Sequence, residues 1–328
     1  MIRSAATPLP SPAILGEAAV GVDRVAIEEH PARRPARQRR RQRLTGLFFV
    51  APFMLYMGVF LIYPALSGLV TSLQDWGSGT AGGFIGMGNF SQVLQDDVFE
   101  SALRNTLFYI ANSIFVIVPL ALVLALGVNA RWMRGSEFMR VALFVPAVVA
   151  PVVIAIIFGI VFAQQGLVSA VRYGLLGIEP RPWLDDPTWA RFAVAMAITW
   201  RWTGFIMIYF LAGLKGIPPE LYEAARVDRA GNLRQFWHIT LPSLKPVTLF
   251  VLVIVISGTS QIFDEPRLLA YGTYGPGNSL ISVAQYVFDQ AFNKANYGLA
   301  SAAAIVVLVG VVAASLMLLR IFRQEDEG

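Results

Sequence analysis

The chain contains no cysteine and only two histidines, His30 and His238. Disulfides, thiolate catalysis, iron–sulfur clusters and Cys-ligated zinc are thereby excluded, and a histidine-rich metal site has too few ligands. Charge is scarce too. Only 14% of the 328 residues are charged and 56% are hydrophobic, against roughly a quarter charged in soluble proteins. That balance describes a chain whose solvent is largely lipid. No G-x-x-x-x-G-K-[ST], H-E-x-x-H or G-x-S-x-G pattern occurs, so the sequence points away from an enzyme and offers no phosphate-cradling loop or other cofactor site. The apolar stretches lack carboxylates, with Asp264 and Glu265 placed at the outer end of the fifth. An ion-coupled carrier ordinarily needs buried ionisable groups.

What is present is six long apolar stretches, about 45–73, 105–129, 139–163, 189–213, 246–264 and 298–319. Each approaches the ~20 residues that cross ~30 Å of hydrocarbon. They predict an all-α membrane protein with six transmembrane helices in a domain spanning 45–323. Ahead of it lies an Arg-rich tail, 1–44, read as disordered; its nine Arg against four acids account for the whole net charge of +5. A basic tail on a neutral body suits membrane lipid rather than nucleic acid. Lys and Arg are concentrated on one side. Seventeen lie in the end of the tail nearest the first span (33–43), the 2/3 and 4/5 connections and the C-terminus, against Arg172, Arg181, Arg267 and Lys294 opposite, which places both termini in the cytoplasm. Small residues four apart, Gly298/Ala302 and Gly310/Ala314, mark a face of the last span for close helix packing.

One connection is too elaborate to be a simple loop. In 215–245, Pro218 and Pro219 precede the acids Glu220 and Glu223, as at a helix N-terminus. Leu221, Ala224 and Ala225 then share a face. Gly231 and Asn232 read as a break, and Pro242 as the stop of a second short helix. Two helices this short cannot bury themselves. Periodicity alone leaves two readings open, a hairpin that docks on a partner and an interfacial hairpin resting on lipid.

These residues also carry a resemblance. Glu223-Ala224-Ala225, with Ile239, Leu241 and Pro242 downstream, resembles the EAA loop of permease subunits in binding-protein-dependent ABC importers. Asn89-Phe90, Leu103-Arg104-Asn105-Thr106-Leu107, Phe263-Asp264, Gly275-Pro276-Gly277-Asn278 and Tyr297-Gly298-Leu299-Ala300-Ser301-Ala302 are similar, in order, to the first permease of sugar and glycerol-phosphate systems. The similarity covers about 45–320. It implies the type I importer permease fold, placement in a bacterial inner membrane, and a coupling role for Glu223, Ala224, Ala225, Asp228, Arg229, Gly231, Ile239, Leu241 and Pro242. The implied partners are a second permease, an ABC ATPase dimer that binds ATP-Mg, an extracytoplasmic solute-binding protein and a small-molecule cargo, a carbohydrate or related polyol. At one position this chain departs from the pattern: Arg229 stands where the family has glycine. Either the bend has moved to Gly231, or Arg229 contacts an acidic spot on its ATPase.

Trp200, Arg201 and Trp202 form the candidate cargo path together with Asp264. A lone arginine near mid-span must face a wet cavity or a partner helix, because burying it costs at least ~2.5 kcal/mol. Snorkelling to an interface and pairing with a carboxylate at a subunit contact stand beside the path reading. Asp264 and Glu265 are either a vestibule rim or solvated span ends. Asp96, Asp97 and Glu100 are read as an acidic outer loop, solvated or facing the binding protein. An ion-coupled transporter or channel, and a membrane-anchored scaffold with a lipid-binding tail, are the alternatives.

Overall fold

The computed structural model describes residues 48–77, 80–130 and 135–324. The tail 1–44, and Arg131 and Arg134 of the 2/3 connection, lie outside the described residues. The chain divides into two units, 1–62 and 63–328. The first contributes the larger part of α1 (Phe48–Thr71), a mainly apolar helix of 24 residues. The second holds everything described below.

After a short hairpin, β1 (Gln74–Gly77) paired antiparallel with β2 (Thr80–Phe84), the elements are helical: α2 (Gly88–Leu94), α3 (Asp97–Asn129), α4 (Ser136–Val148), α5 (Pro151–Val161) and α6 (Leu167–Leu176). α7 (Pro187–Lys215), α8 (Pro219–Val227), α9 (Asn232–Ser243), α10 (Lys245–Ser260), α11 (Asp264–Leu269), α12 (Val283–Phe288) and α13 (Tyr297–Gln324) complete the chain. α3 begins where Asp96 accepts hydrogen bonds from Val98 N and Phe99 N, a side-chain cap on donors that the helix leaves unpaired. Asp186 caps α7 in the same way, with Pro187 in its first turn. α7 is the hub of the core, burying Ala190, Ala193, Ala197, Met207 and Phe210. Where α4 crosses it, a Cβ on Gly204 would fall on the carbonyl of Leu143, so glycine sets the closeness of the two backbones.

Among the described residues four helices, α1, α3, α7 and α13, are long and apolar enough to cross a membrane singly. The third and fifth stretches instead form bent pairs. α4 and α5 meet at 96°, because Ala150, preceding Pro151, is held extended. α9 and α10 meet at 63° at Leu244. α10 is 16 residues long, or ~24 Å, and so falls short of the hydrocarbon thickness.

The small-residue face of α13 divides. Gly298 packs against Gln74 O and the Asn89 side chain, whereas Gly310 faces open space. Leu308, Val309, Val312 and Leu316 along the same helix are exposed, as a lipid-facing surface requires.

Several motif residues prove to be structural at the end of the bundle remote from Lys215. Asn89 Nδ2 donates to Ser72 O and Gln74 O. Asn105 Nδ2 donates to Asn278 O and Ile281 O, and Thr106 Oγ1 accepts from Val283 N. The acidic outer loop is corrected in the same region: Asp97 and Glu100 are already helical. Asp96 accepts from the Tyr286 hydroxyl besides capping α3. Burial, reinforced by that bond, raises the Tyr286 phenol above the ordinary tyrosine range.

Candidate functional site

Two places gather the residues singled out by sequence, a hairpin foot at the C-terminal end of α7 and a cavity half-way along it.

The foot is α8 and α9. Pro218 stays extended, Pro219 opens α8, and Glu220 sits in its first turn, as the local sequence dictates. Tyr222 faces inward, its hydroxyl 2.9 Å from Thr240 Oγ1, and Thr240 is buried. This bond ties the EAA helix to the Ile239–Pro242 segment. Ile239 and Tyr222 pack against the main core. The outward side is uncovered: Val227 is 83% and Leu233 73% exposed. Glu223, Ala224, Asp228, Arg229, Gly231 and Pro242 are also exposed, while Ala225 and Leu241 are half-buried. Glu223 lies 3.8 Å from Arg226, an exposed pair that contributes little by itself.

The bend between the two helices has not moved to Gly231. Arg229 adopts φ 54°, in the left-handed region, whereas Gly231 is extended at φ −66° and ψ 163°. Ala230 N donates to Ala225 O at 2.9 Å and Arg229 N to Arg226 O at 3.1 Å. These are the paired bonds of a Schellman ending, whose left-handed position glycine usually fills. Arg229 holds it at a cost of about 1 kcal/mol. Pro242 likewise does not stop the second helix, which runs on to Ser243. A π-turn, Phe236–Thr240, precedes it and absorbs the clash a proline ring makes with the preceding turn.

The cavity, about 260 Å³, lies between α3, α7, α10 and α11. α7 spans ~43 Å at 1.5 Å per residue and Arg201 stands ~21 Å along it, so the cavity sits half-way along that helix. There α10 has already ended, and Gln261, Ile262 and Phe263 run irregularly before α11. Non-helical backbone at that depth is tolerated where it lines a cavity. Glu265 is therefore no solvated span end. Its side chain is 3% exposed and Oε1 lies 2.6 Å from Arg201 Nη1, itself 13% exposed. The arginine pairs with a carboxylate of its own chain. Its guanidinium also lies 4.9 Å from the Trp202 ring centroid. Asp264, adjacent, is exposed and lines the cavity with Gln261, Phe263 and Phe205.

Arg201, Trp202 and Asp264 thus share one cavity, and Trp200 does not join them. Successive helical residues point ~100° apart, and Trp200 lines a second cavity of about 580 Å³ with Phe158, Phe192 and Met196. Glu265 and Gln261 were not singled out as site residues. A lone mid-span arginine demands a carboxylate, and the Asp264-Glu265 pair was the available signal.

Residues 117–324 match the family described as "Binding-protein-dependent transport system inner membrane component". The lactose transport system permease protein LacF of Rhizobium radiobacter is 38% identical over 251 residues, 76% of this chain and 84% of that protein. The arabinooligosaccharides transport system permease protein AraP of Bacillus subtilis (strain 168) is 37% identical over 276 residues, 83% of this chain and 87% of that one. Among solved structures, a bacterial ABC transporter that imports the acidic polysaccharide alginate contains a chain with the same fold. Its TM-score is 0.75 at 24% identity, covering 88% of this chain and 98% of that one.

Proposed function

From the premise that this chain belongs to the family of binding-protein-dependent transport system inner membrane components, we propose how its foot and its cavity divide the work of import. The protein is a multi-pass inner-membrane permease subunit of an ATP-driven sugar importer. It works with a second permease, an ABC ATPase and an external solute-binding protein. The ATPase, not this chain, binds ATP-Mg.

The foot is the coupling element, and the observation that carries this is its uncovered apolar side, Val227 and Leu233 above all. Large exposed apolar groups beside Glu223 and Arg226 suit a protein groove better than water. Both termini and the foot face the cytoplasm, where the ATPase is. When ATP closes the ATPase dimer, the two permeases' feet are drawn together. The Tyr222–Thr240 bond makes α8 and α9 move as one body, and α7, continuous from Lys215 past Arg201, transmits the displacement to mid-depth. The cavity around Arg201, Trp202 and Asp264 is this subunit's share of the cargo path, with aromatic faces for sugar rings and polar groups for hydroxyls. The cargo is a saccharide of the oligosaccharide kind that LacF and AraP are named for.

The chain's lack of cysteine makes the test direct. Ala224→Cys supplies a single thiol, to be cross-linked to single cysteines in the ATPase surface of the assembled importer. ATP-dependent cross-linking is expected. Absence of cross-links from every position tested, in an importer that still transports, would reject the coupling role.

A further inference from the structure

We propose that the mid-depth cavity sorts cargo by charge, admitting neutral saccharides and opposing anionic ones; this rests on the reading of the cavity as the cargo path. An arginine in a sugar path is the natural anchor for a carboxylate, sulfonate or phosphate, because its donor fork matches two anionic oxygens at once. Here its charge is already matched, and one arm of the fork is taken. Arg201 Nη1 is held by Glu265 Oε1 at 2.6 Å, and the guanidinium lies against the Trp202 ring. Once Glu265 has cancelled Arg201, Asp264 remains as an exposed carboxylate on the same wall. The ionisable lining is therefore one cation against two anions, a formal charge of −1.

The remaining polar groups suit hydroxyls. Gln261, which lines the cavity, donates its Nε2 to Ser257 O and keeps its carbonyl oxygen as an acceptor. Arg201 Nε is enclosed and meets no acceptor among the described residues. Trp202, Phe205 and Phe263 supply apolar faces for the carbon side of a sugar ring. A uronate, a sugar phosphate or a sulfonated sugar entering this space meets Asp264, and the lining cation, Arg201, is already paired with Glu265. Coulomb repulsion in a partly desolvated cavity is several times stronger than in water.

The experiment reads the charge at Trp202, whose signal is the difference between the wild-type importer and Trp202→Phe, both assembled in lipid nanodiscs without binding protein. Acrylamide, neutral, and iodide, anionic, are used as quenchers. Acrylamide is expected to reach Trp202, with iodide at least about threefold less effective. Asp264→Asn, at an exposed position, and Glu265→Gln should each bring iodide toward acrylamide. Neutral oligosaccharides should shield Trp202 from acrylamide where their uronate counterparts do not. Equal quenching by iodide and acrylamide, or equal shielding by uronates, overturns the charge inference and leaves the path intact. If neither quencher reaches Trp202, the cavity is closed to solutes and the path reading falls together with it.

Discussion

Replacing Glu265 with alanine would leave the Arg201 guanidinium at mid-depth with a carboxylate removed from 2.6 Å away and no other acidic partner bonded to it. Breaking a buried pair from one side costs about 3–5 kcal/mol, because the surviving charge stays desolvated. Two features of this site place the effect at the lower end: Arg201 borders a cavity and rests on the Trp202 ring. Glu265→Gln keeps one hydrogen bond and should cost about half as much. Removing both charges with Arg201→Met and Glu265→Leu should recover most of the loss, since neither desolvated charge then remains. At roughly 2–4 °C per kcal/mol for a chain of this size, the apparent Tm of Glu265→Ala in detergent should fall by about 6–12 °C, and that of the double variant by far less. A double-mutant cycle isolates the coupling. If Glu265→Ala melts with the wild type, or the double variant loses the sum of the single losses, the pair carries no coupling and the account of a cancelled charge fails.

Three further outcomes follow from the same geometry. Glu223→Lys reverses an exposed charge on the foot, 65% exposed at its side chain, and should abolish co-purification of the ATPase while membrane insertion is unchanged; normal co-purification counts against the coupling role. Arg229→Gly removes the left-handed cost of about 1 kcal/mol, so the amides around Asp228–Asn232 should exchange several-fold more slowly with deuterium, and Arg229→Val faster; the opposite order rejects the observed φ. Gly204→Ala sets a methyl against the Leu143 carbonyl and should cut the yield of folded protein sharply, where Gly310→Ala, in open space, should leave it unchanged.

Much of the foot was legible because its signals are local. Pro218, Pro219, Glu220 and the Leu221/Ala224/Ala225 face specify a helix start within a few residues, and the structure begins α8 there. The lipid-solvated class was equally legible, because composition decides it before any contact forms. The position of the bend was not. Gly231 is the residue that tolerates positive φ best, yet the turn is fixed by which carbonyls Arg229 N and Ala230 N reach, and that pattern favours position 229 at the expense of strain. Nor could hydropathy show that the fifth stretch ends as a helix at Ser260, since Gln261–Phe263 interrupt it with little change in overall hydropathy.

The sequence by itself determined that this protein is solvated by lipid and where its motifs lie, since composition and short-range patterns need no fold to be read. Only the tertiary structure decided what those motifs are for. Asn89 and Asn105 became struts, and Trp200 was separated from Arg201 by the turn of one helix. Glu265 was carried across 64 positions to cancel the one charge at mid-span. Such assignments depend on groups distant in the chain meeting in a desolvated space, where an unpaired charge is too costly to keep and the partner is set by packing rather than by spacing.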